Sequence, residues 1–260
     1  MSARRFPERR FLPTIVLLTL ILPLVAGAAT PLYAWPKEAY QNMVYDTIRL
    51  LPPSLARVLW RRREVIVRGV TSLEGETASR LARDGRDGIV SSELVSDVEA
   101  RIDRVVGLVG THQSFDLTAM ELGRLLRIAA DLSDPTVMGS GSDGMRRVSA
   151  EYHRFVGMHL TEIPLVYDKS LPSTVEGASL SRMLHELGVS TIASARPLTD
   201  VFWKDGRVVS ASSFDFRSVP YAQTSLTYSR SVTAASYLWL SAWANANGDF
   251  TGYRFSDKSK

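Results

Sequence analysis

The chain has 260 residues and no cysteine, which excludes disulfides, thiolate metal sites and catalytic thiols. Its 31 basic and 27 acidic residues give a net charge of +4. The first 34 residues hold four of the arginines and one of the glutamates, so the remainder has 27 basic and 26 acidic residues. That near balance gives no reason to expect a nucleic-acid partner.

Residues 1–34 have the pattern of a secretory signal peptide. Four arginines among the first ten residues precede an uncharged, largely apolar run over residues 11–34. Small residues allow cleavage after Ala28 or after Ala34, and the second cut would make Trp35 the new N-terminus. We therefore expect a protein exported across the membrane, either periplasmic or secreted. The alternative is an uncleaved membrane anchor, because a span needs about 20 apolar residues and this stretch is close to that length.

Apolar residues recur at helical spacing along residues 35–260, and alternating strand patterns are scarce. Prolines, glycines and capping residues divide the pattern into helices near 40–51, 54–60, 94–109, 117–131, 147–160, 175–195 and 219–247. A capping box at residues 71–74 predicts a further short helix, and Asp-Gly pairs at 84–88 predict a loop. The arginines at 61–63 are expected to be a solvated helix end rather than a phosphate site. The sequence therefore predicts an all-α fold, a compact multi-helix bundle that forms one domain over residues 35–260.

The histidines and the common nucleophile motifs indicate no catalytic residue and no cofactor-binding residue. The four histidines are His112, His153, His159 and His185. No two lie four residues apart, the spacing that turns two imidazoles on a helix toward one metal. The Gly/Ser stretch at residues 139–144 is interpreted as a loop before a helix rather than as a phosphate loop. No G-x-S-x-G nucleophile elbow is present in the sequence.

Three stretches carry a resemblance to a known family. Trp35 directly follows the leader and opens a helix that ends at a Leu-Pro pair, with Tyr40 five residues beyond Trp35. Residues 122–135 keep a Leu-Gly pair, an aspartate and a proline at the spacing of a metal-binding helix motif, and residues 149–153 keep a tyrosine. Together these stretches resemble the zinc-dependent phospholipase C and S1/P1 nuclease superfamily.

The resemblance implies the helical fold of that superfamily and marks where its zinc ligands would stand. Those positions are Trp35, Tyr40, Arg127, Asp131, Val137, Ser149 and His153. Arg127 and Val137 replace ligand histidines, and Asp131 is the one clear surviving side-chain ligand. We therefore assign no residue as a metal ligand. The resemblance implies a vestigial pocket instead, formed by Trp35, Tyr40, Arg127, Asp131, Ser149 and His153. Arg127 and Asp131 lie four residues apart, so an ion pair is predicted in the space of the metal.

Three functional hypotheses follow. The first is a pseudoenzyme of phospholipase C type without zinc, acting as a binding or structural module for a partner that the sequence does not identify. The second is a phosphodiester or phospholipid hydrolase with a reduced zinc site that uses Trp35, Asp131, His153 and either Glu151 or Asp134. The third is a scaffold tethered to the membrane through its uncleaved leader.

Overall fold

The computed structural model describes residues 35–73, 90–166 and 178–253. The leader, Glu74 and the loop predicted at 84–88 lie outside these residues. In chain order the described elements are α1 (Lys37–Arg49), α2 (Pro53–Trp60), α3 (Arg63–Ser72), α4 (Ser92–Gly110), α5 (Phe115–Leu132), α6 (Pro135–Met138), α7 (Asp143–His159), α8 (Ala178–Phe202), β1 (Trp203–Lys204), β2 (Arg207–Val208), a 3-10 helix (Ala211–Ser213) and α9 (Val219–Asn245). The predicted all-α fold is confirmed, since the described strands form a single two-residue hairpin.

α9 lies in the core of the bundle although its sequence is rich in serine and threonine. Thr224, Thr233 and Ser236 are buried, and each donates its hydroxyl to the carbonyl oxygen four residues earlier at 2.7–2.8 Å. Because these hydroxyls are satisfied within the helix, they enter the core without an unpaired donor. Trp239 joins α9 to α5 by donating its indole N–H to the carbonyl oxygen of Leu122 at 2.8 Å.

α3 and α5 cross with their backbones in direct contact. A β-carbon at Gly69 would lie 2.2 Å from the carbonyl oxygen of Met120, and one at Gly123 would lie 2.2 Å from that of Ile66. No side chain fits into that distance, so glycine at both positions permits the crossing. This backbone contact fixes the middle of α5 against α3. It therefore also fixes the position of the polar residues in the second half of α5.

Two local predictions were wrong. Thr71 was predicted to cap the start of a helix, but Thr71 and Ser72 are the last residues of α3. The short helix expected after Glu74 lies outside the described residues. The Thr71 hydroxyl donates backwards, to the carbonyl oxygens of Val67 and Arg68 at 3.3 and 3.1 Å. The helix predicted to end near residue 195 continues to Phe202. It then enters the hairpin, whose turn places Asp205 and Gly206 at positive φ.

Candidate functional site

A buried ion pair lies on the last turns of α5. The Nε of Arg127 donates to Oδ1 of Asp131 at 2.8 Å, and each side chain is 1% exposed. Tyr40 of α1 donates its hydroxyl to the same oxygen at 3.1 Å. The guanidinium carbon of Arg127 also lies 4.9 Å from the centre of the Tyr40 ring, within cation–π range. Asp131 thus has a cationic and a neutral donor on one oxygen.

Trp35 connects the start of the described chain to this pair. It is fully buried, and its indole N–H donates to the carbonyl oxygen of Ala130 at 2.9 Å. Its backbone N–H donates to the Tyr40 hydroxyl oxygen at 3.3 Å. A chain of hydrogen bonds therefore runs from the Trp35 nitrogen through Tyr40 to Asp131. We call these four residues, Trp35, Tyr40, Arg127 and Asp131, the buried cluster.

Burial dominates the electrostatics of the cluster. It raises the pKa of Asp131 to about 6, although the charge of Arg127 and the hydrogen bonds from Arg127 and Tyr40 act in the opposite direction. The nearby carboxylate of Asp134 raises that pKa further. Burial and the Asp131 charge also raise the pKa of Tyr40 well above its usual value. Tyr40 is therefore a neutral phenol that donates a hydrogen bond to Asp131.

The donor set of the cluster does not fit the zinc ions that the predicted family resemblance implied. A zinc cluster needs several imidazoles and carboxylates around closely spaced dications. Here the guanidinium of Arg127, which keeps its positive charge in proteins, lies in contact with the one carboxylate of the cluster. Val137, which stands at a ligand position, is an apolar residue of the short helix α6. Within the described ranges, no three His, Asp or Glu side chains come together closely enough to share a metal ion.

A second polar group lies where α6 begins. Asp134 is fully buried and caps α6, because its Oδ1 accepts from the backbone N–H and the hydroxyl of Thr136 at 2.6 and 2.7 Å. Nε2 of His153, on α7, lies 3.1 Å from the Thr136 hydroxyl and 3.3 Å from Oδ2 of Asp134. Since the Thr136 hydrogen already points to Asp134, these partners assign a hydrogen to Nε2. The His153 side chain is 25% exposed.

The remaining sequence candidates occupy other environments. Ser149 lies one turn before His153 on α7, and its hydroxyl donates to the carbonyl oxygen of Arg146 at 3.1 Å. Glu151 accepts a hydrogen bond from the backbone N–H of Ala211 at 2.8 Å and so fixes the 3-10 helix. The structure thus joins Trp35, Tyr40, Arg127 and Asp131 in one cluster, and it places His153 with Asp134 instead. The Ser149 hydroxyl forms its hydrogen bond within α7 rather than with a residue of either group.

Residues that made the sequence motif recognisable have packing roles in this chain. Leu122 supplies the carbonyl that Trp239 binds, and Gly123 permits the crossing of α3. Pro135 is the first residue of α6, a position that suits its fixed φ and missing N–H. Sequence reasoning missed the Asp134–Thr136–His153 group as a unit. The Asp-Pro-Thr sequence was its available signal, because aspartate before proline is typical of a helix N-terminus.

Two general findings bear on classification. None of the helices in the described part of the chain is both long and apolar enough to cross a membrane. Comparison with protein-family models, with curated proteins and with solved structures finds no match for this chain.

Proposed function

We propose that this chain is an exported helical domain of phospholipase C-like architecture, in which a buried ion pair takes the place of a metal centre. Its role is then structural or ligand-binding rather than hydrolytic. The observation that carries the proposal is the 2.8 Å contact between Arg127 and Asp131, both nearly inaccessible to solvent. A cation here neutralises the carboxylate that zinc would otherwise neutralise.

The neighbours of the pair support this assignment. Tyr40 stands at a histidine position of the family motif, and its hydroxyl binds Asp131 rather than leaving that oxygen for a metal. Trp35, whose backbone binds zinc in the family, here donates its backbone N–H to Tyr40. The residues at these motif positions therefore form hydrogen bonds with one another. Both partners of the ion pair lie on α5, and Tyr40 links them to α1. Breaking a buried pair from one side is strongly destabilising, because it leaves an uncompensated charge.

Zinc analysis of the purified protein tests the proposal. We expect less than stoichiometric zinc after incubation with the metal and dialysis, and no chelator-sensitive hydrolysis of a chromogenic phosphodiester. Two or three zinc ions per chain with such hydrolysis would overturn it. Arg127→His restores an imidazole at the motif position, and Arg124→His, one turn earlier on α5, is the matched control. If only Arg127→His bound zinc, and did so with unchanged stability, the ion pair would not have the structural role proposed.

His153 favours a second candidate function, a hydrolase with a reduced metal site. Its Nε2 is held by Asp134 and Thr136, and Nδ1 has no hydrogen-bond partner among the described residues. A carboxylate that orients one imidazole nitrogen while the other stays available is typical of metal ligands and of general bases. Under this candidate, His153→Gln abolishes zinc binding and phosphodiester hydrolysis, whereas His159→Gln on the same helix does not. No zinc binding or hydrolysis in the unmodified protein would reject it.

The export part of the proposal rests on the leader pattern of residues 1–34. N-terminal sequencing of the protein recovered from its native location tests it. A mature chain beginning at Ala29 or Trp35 supports export with cleavage. A chain that retains Met1 and stays with the membrane fraction supports the anchored scaffold instead.

A further inference from the structure

The corner between α2 and α3 combines concentrated positive charge with an exposed tryptophan. Residues 57–68 contain one acid, Glu64, and five arginines: Arg57, Arg61, Arg62, Arg63 and Arg68. Trp60, the last residue of α2, lies among them and is 42% exposed. This is a large local excess for a chain whose residues 35–260 are nearly balanced in charge.

Ion pairs with described residues involve only two of these five arginines, Arg62 and Arg63. Arg62 pairs with Asp116 at 3.0 Å and leans over the Phe115 ring. Arg63 lies 3.5 Å from Glu64, and its guanidinium carbon lies 5.2 Å from the centre of the Trp60 ring. Arg57, Arg61 and Arg68 are exposed and form no ion pair with any described residue.

Two of these arginines, which lack an ion pair with a described residue, are near Trp60 in the chain. Arg57 precedes it by three residues on α2, and Arg61 follows it directly. Tyr45 joins the two helices on this face, since its ring lies 5.4 Å from that of Trp60 and its hydroxyl donates to Glu64 at 3.4 Å. Arg68 is one helical turn beyond Glu64 on α3. We call Arg57, Trp60, Arg61, Arg63 and Arg68 the Arg–Trp surface.

We propose that the Arg–Trp surface binds the headgroup region of a bilayer that contains anionic lipid. Tryptophan favours the membrane–water interface, where its ring lies among headgroups and its indole N–H stays hydrated. Arginines beside it are attracted to lipid phosphates and form charge-assisted hydrogen bonds with them.

Charge and shape favour lipid over nucleic acid. Proteins that bind single strands line a groove with several aromatic rings for successive bases. The Arg–Trp surface has one exposed ring, and that ring is flanked by Tyr45 and Arg63 on a corner between two helices. One indole with several cations on a helix surface is typical of interfacial anchoring.

The experiment uses the full chain and a readout confined to this surface, because the leader could itself bring the protein to vesicles. The sequence has no cysteine, so Thr71→Cys gives a unique labelling site. Thr71 is exposed, one turn beyond Arg68 on α3. A nitroxide at this site is expected to lose mobility with vesicles of phosphatidylcholine containing about one third phosphatidylglycerol, and to keep it with phosphatidylcholine alone. A nitroxide at Ser212→Cys, exposed in the 3-10 helix, is expected to stay mobile with both.

Charge reversal identifies the residues responsible. In the Thr71→Cys background, Arg57→Glu with Arg61→Glu should weaken the lipid-dependent signal by at least about 25-fold, since each arginine contributes about fivefold. Arg146→Glu with Arg154→Glu, two exposed positions on α7, makes the same change in net charge and should have little effect. An unresponsive label, or equal loss with both pairs, would overturn the proposal. So would an Arg57/Arg61 effect on binding of a single-stranded oligonucleotide but not of vesicles.

Discussion

Asp131 receives hydrogen bonds on one oxygen from two helices, Arg127 of its own helix α5 and Tyr40 of α1. Its second oxygen accepts no hydrogen bond from the described residues. The carboxylate therefore depends on Arg127 for most of its compensation in the core. Loss of Arg127 alone should therefore lower the free energy of unfolding more than loss of both Arg127 and Asp131.

Arg127→Met is expected to lower the free energy of unfolding by about 3–5 kcal/mol, because it leaves a buried carboxylate without its cation. Arg127→Met with Asp131→Leu should recover most of that loss. Arg146→Met removes an exposed pair with Asp143 and should change stability by less than about 0.5 kcal/mol. Denaturant unfolding of the three variants measures the effect. A double variant as unstable as Arg127→Met would contradict it.

The free energy of unfolding should depend on pH through the titration of Asp131. Its pKa is raised from 3.8 to about 6, so the folded state binds the proton more tightly than the unfolded state. The stabilising effect of this group is then complete below about pH 4 and is lost as the pH rises through about 6. The shift corresponds to about 3 kcal/mol.

Asp131→Asn removes this titration, so the variant isolates it from other carboxylates. The free energy of unfolding of the unmodified protein, minus that of Asp131→Asn, should fall by about 2 kcal/mol between pH 4 and pH 7. Chemical unfolding at several pH values measures this difference. A difference that stays constant, or rises with pH, would show that the carboxyl is not destabilised by burial.

Tyr40→Phe keeps the ring over Arg127 but removes the hydroxyl that links Trp35 to Asp131. We expect a loss of about 1–2 kcal/mol, since a buried acceptor and a buried donor lose a partner. Tyr45→Phe on the same helix is the control, because its hydroxyl bonds exposed side chains. It should change stability by less than about 0.5 kcal/mol. Thermal and denaturant unfolding compare the two, and equal effects would argue against a role for the hydroxyl in the buried cluster.

Gly123→Ala should destabilise the protein by more than about 2 kcal/mol, because its methyl group would overlap the backbone of α3. Gly107→Ala is the opposite case. Gly107 lies inside α4 with open space around it, so alanine there should stabilise by about 0.5–1 kcal/mol. Denaturant midpoints of the two variants should move in opposite directions. A neutral Gly123→Ala would mean that the two helices separate easily at this point.

Short-range relations were the most predictable part of the site. The pairing of Arg127 with Asp131 follows from their spacing on one helix, and it is present. Contacts across long stretches of sequence were less accessible. Tyr40 lies 91 residues from Asp131, and its place in the cluster was expected only through the family resemblance. The contact of His153 with Asp134 depends on how α7 packs beside α6, which periodicity does not specify.

The helices differed in how well their patterns revealed them. α4 has a clear apolar stripe between polar faces, and it was predicted within a few residues. α3 was missed because Thr71 and Ser72 resemble a helix start, whereas their hydroxyls bond backwards to carbonyls at a helix end. Hydroxyl side chains satisfy either role, so the local sequence does not distinguish the two ends.

The buried position of Trp35 has a consequence for hydrogen exchange at its backbone nitrogen. Its nitrogen lies inside the protein, bonded to Tyr40, and the residue has no accessible surface. Its amide hydrogen should therefore exchange with solvent slowly in the folded state. Exchange at this position should require the contact between α1 and α5 to open, so its rate reports how often the buried cluster is exposed.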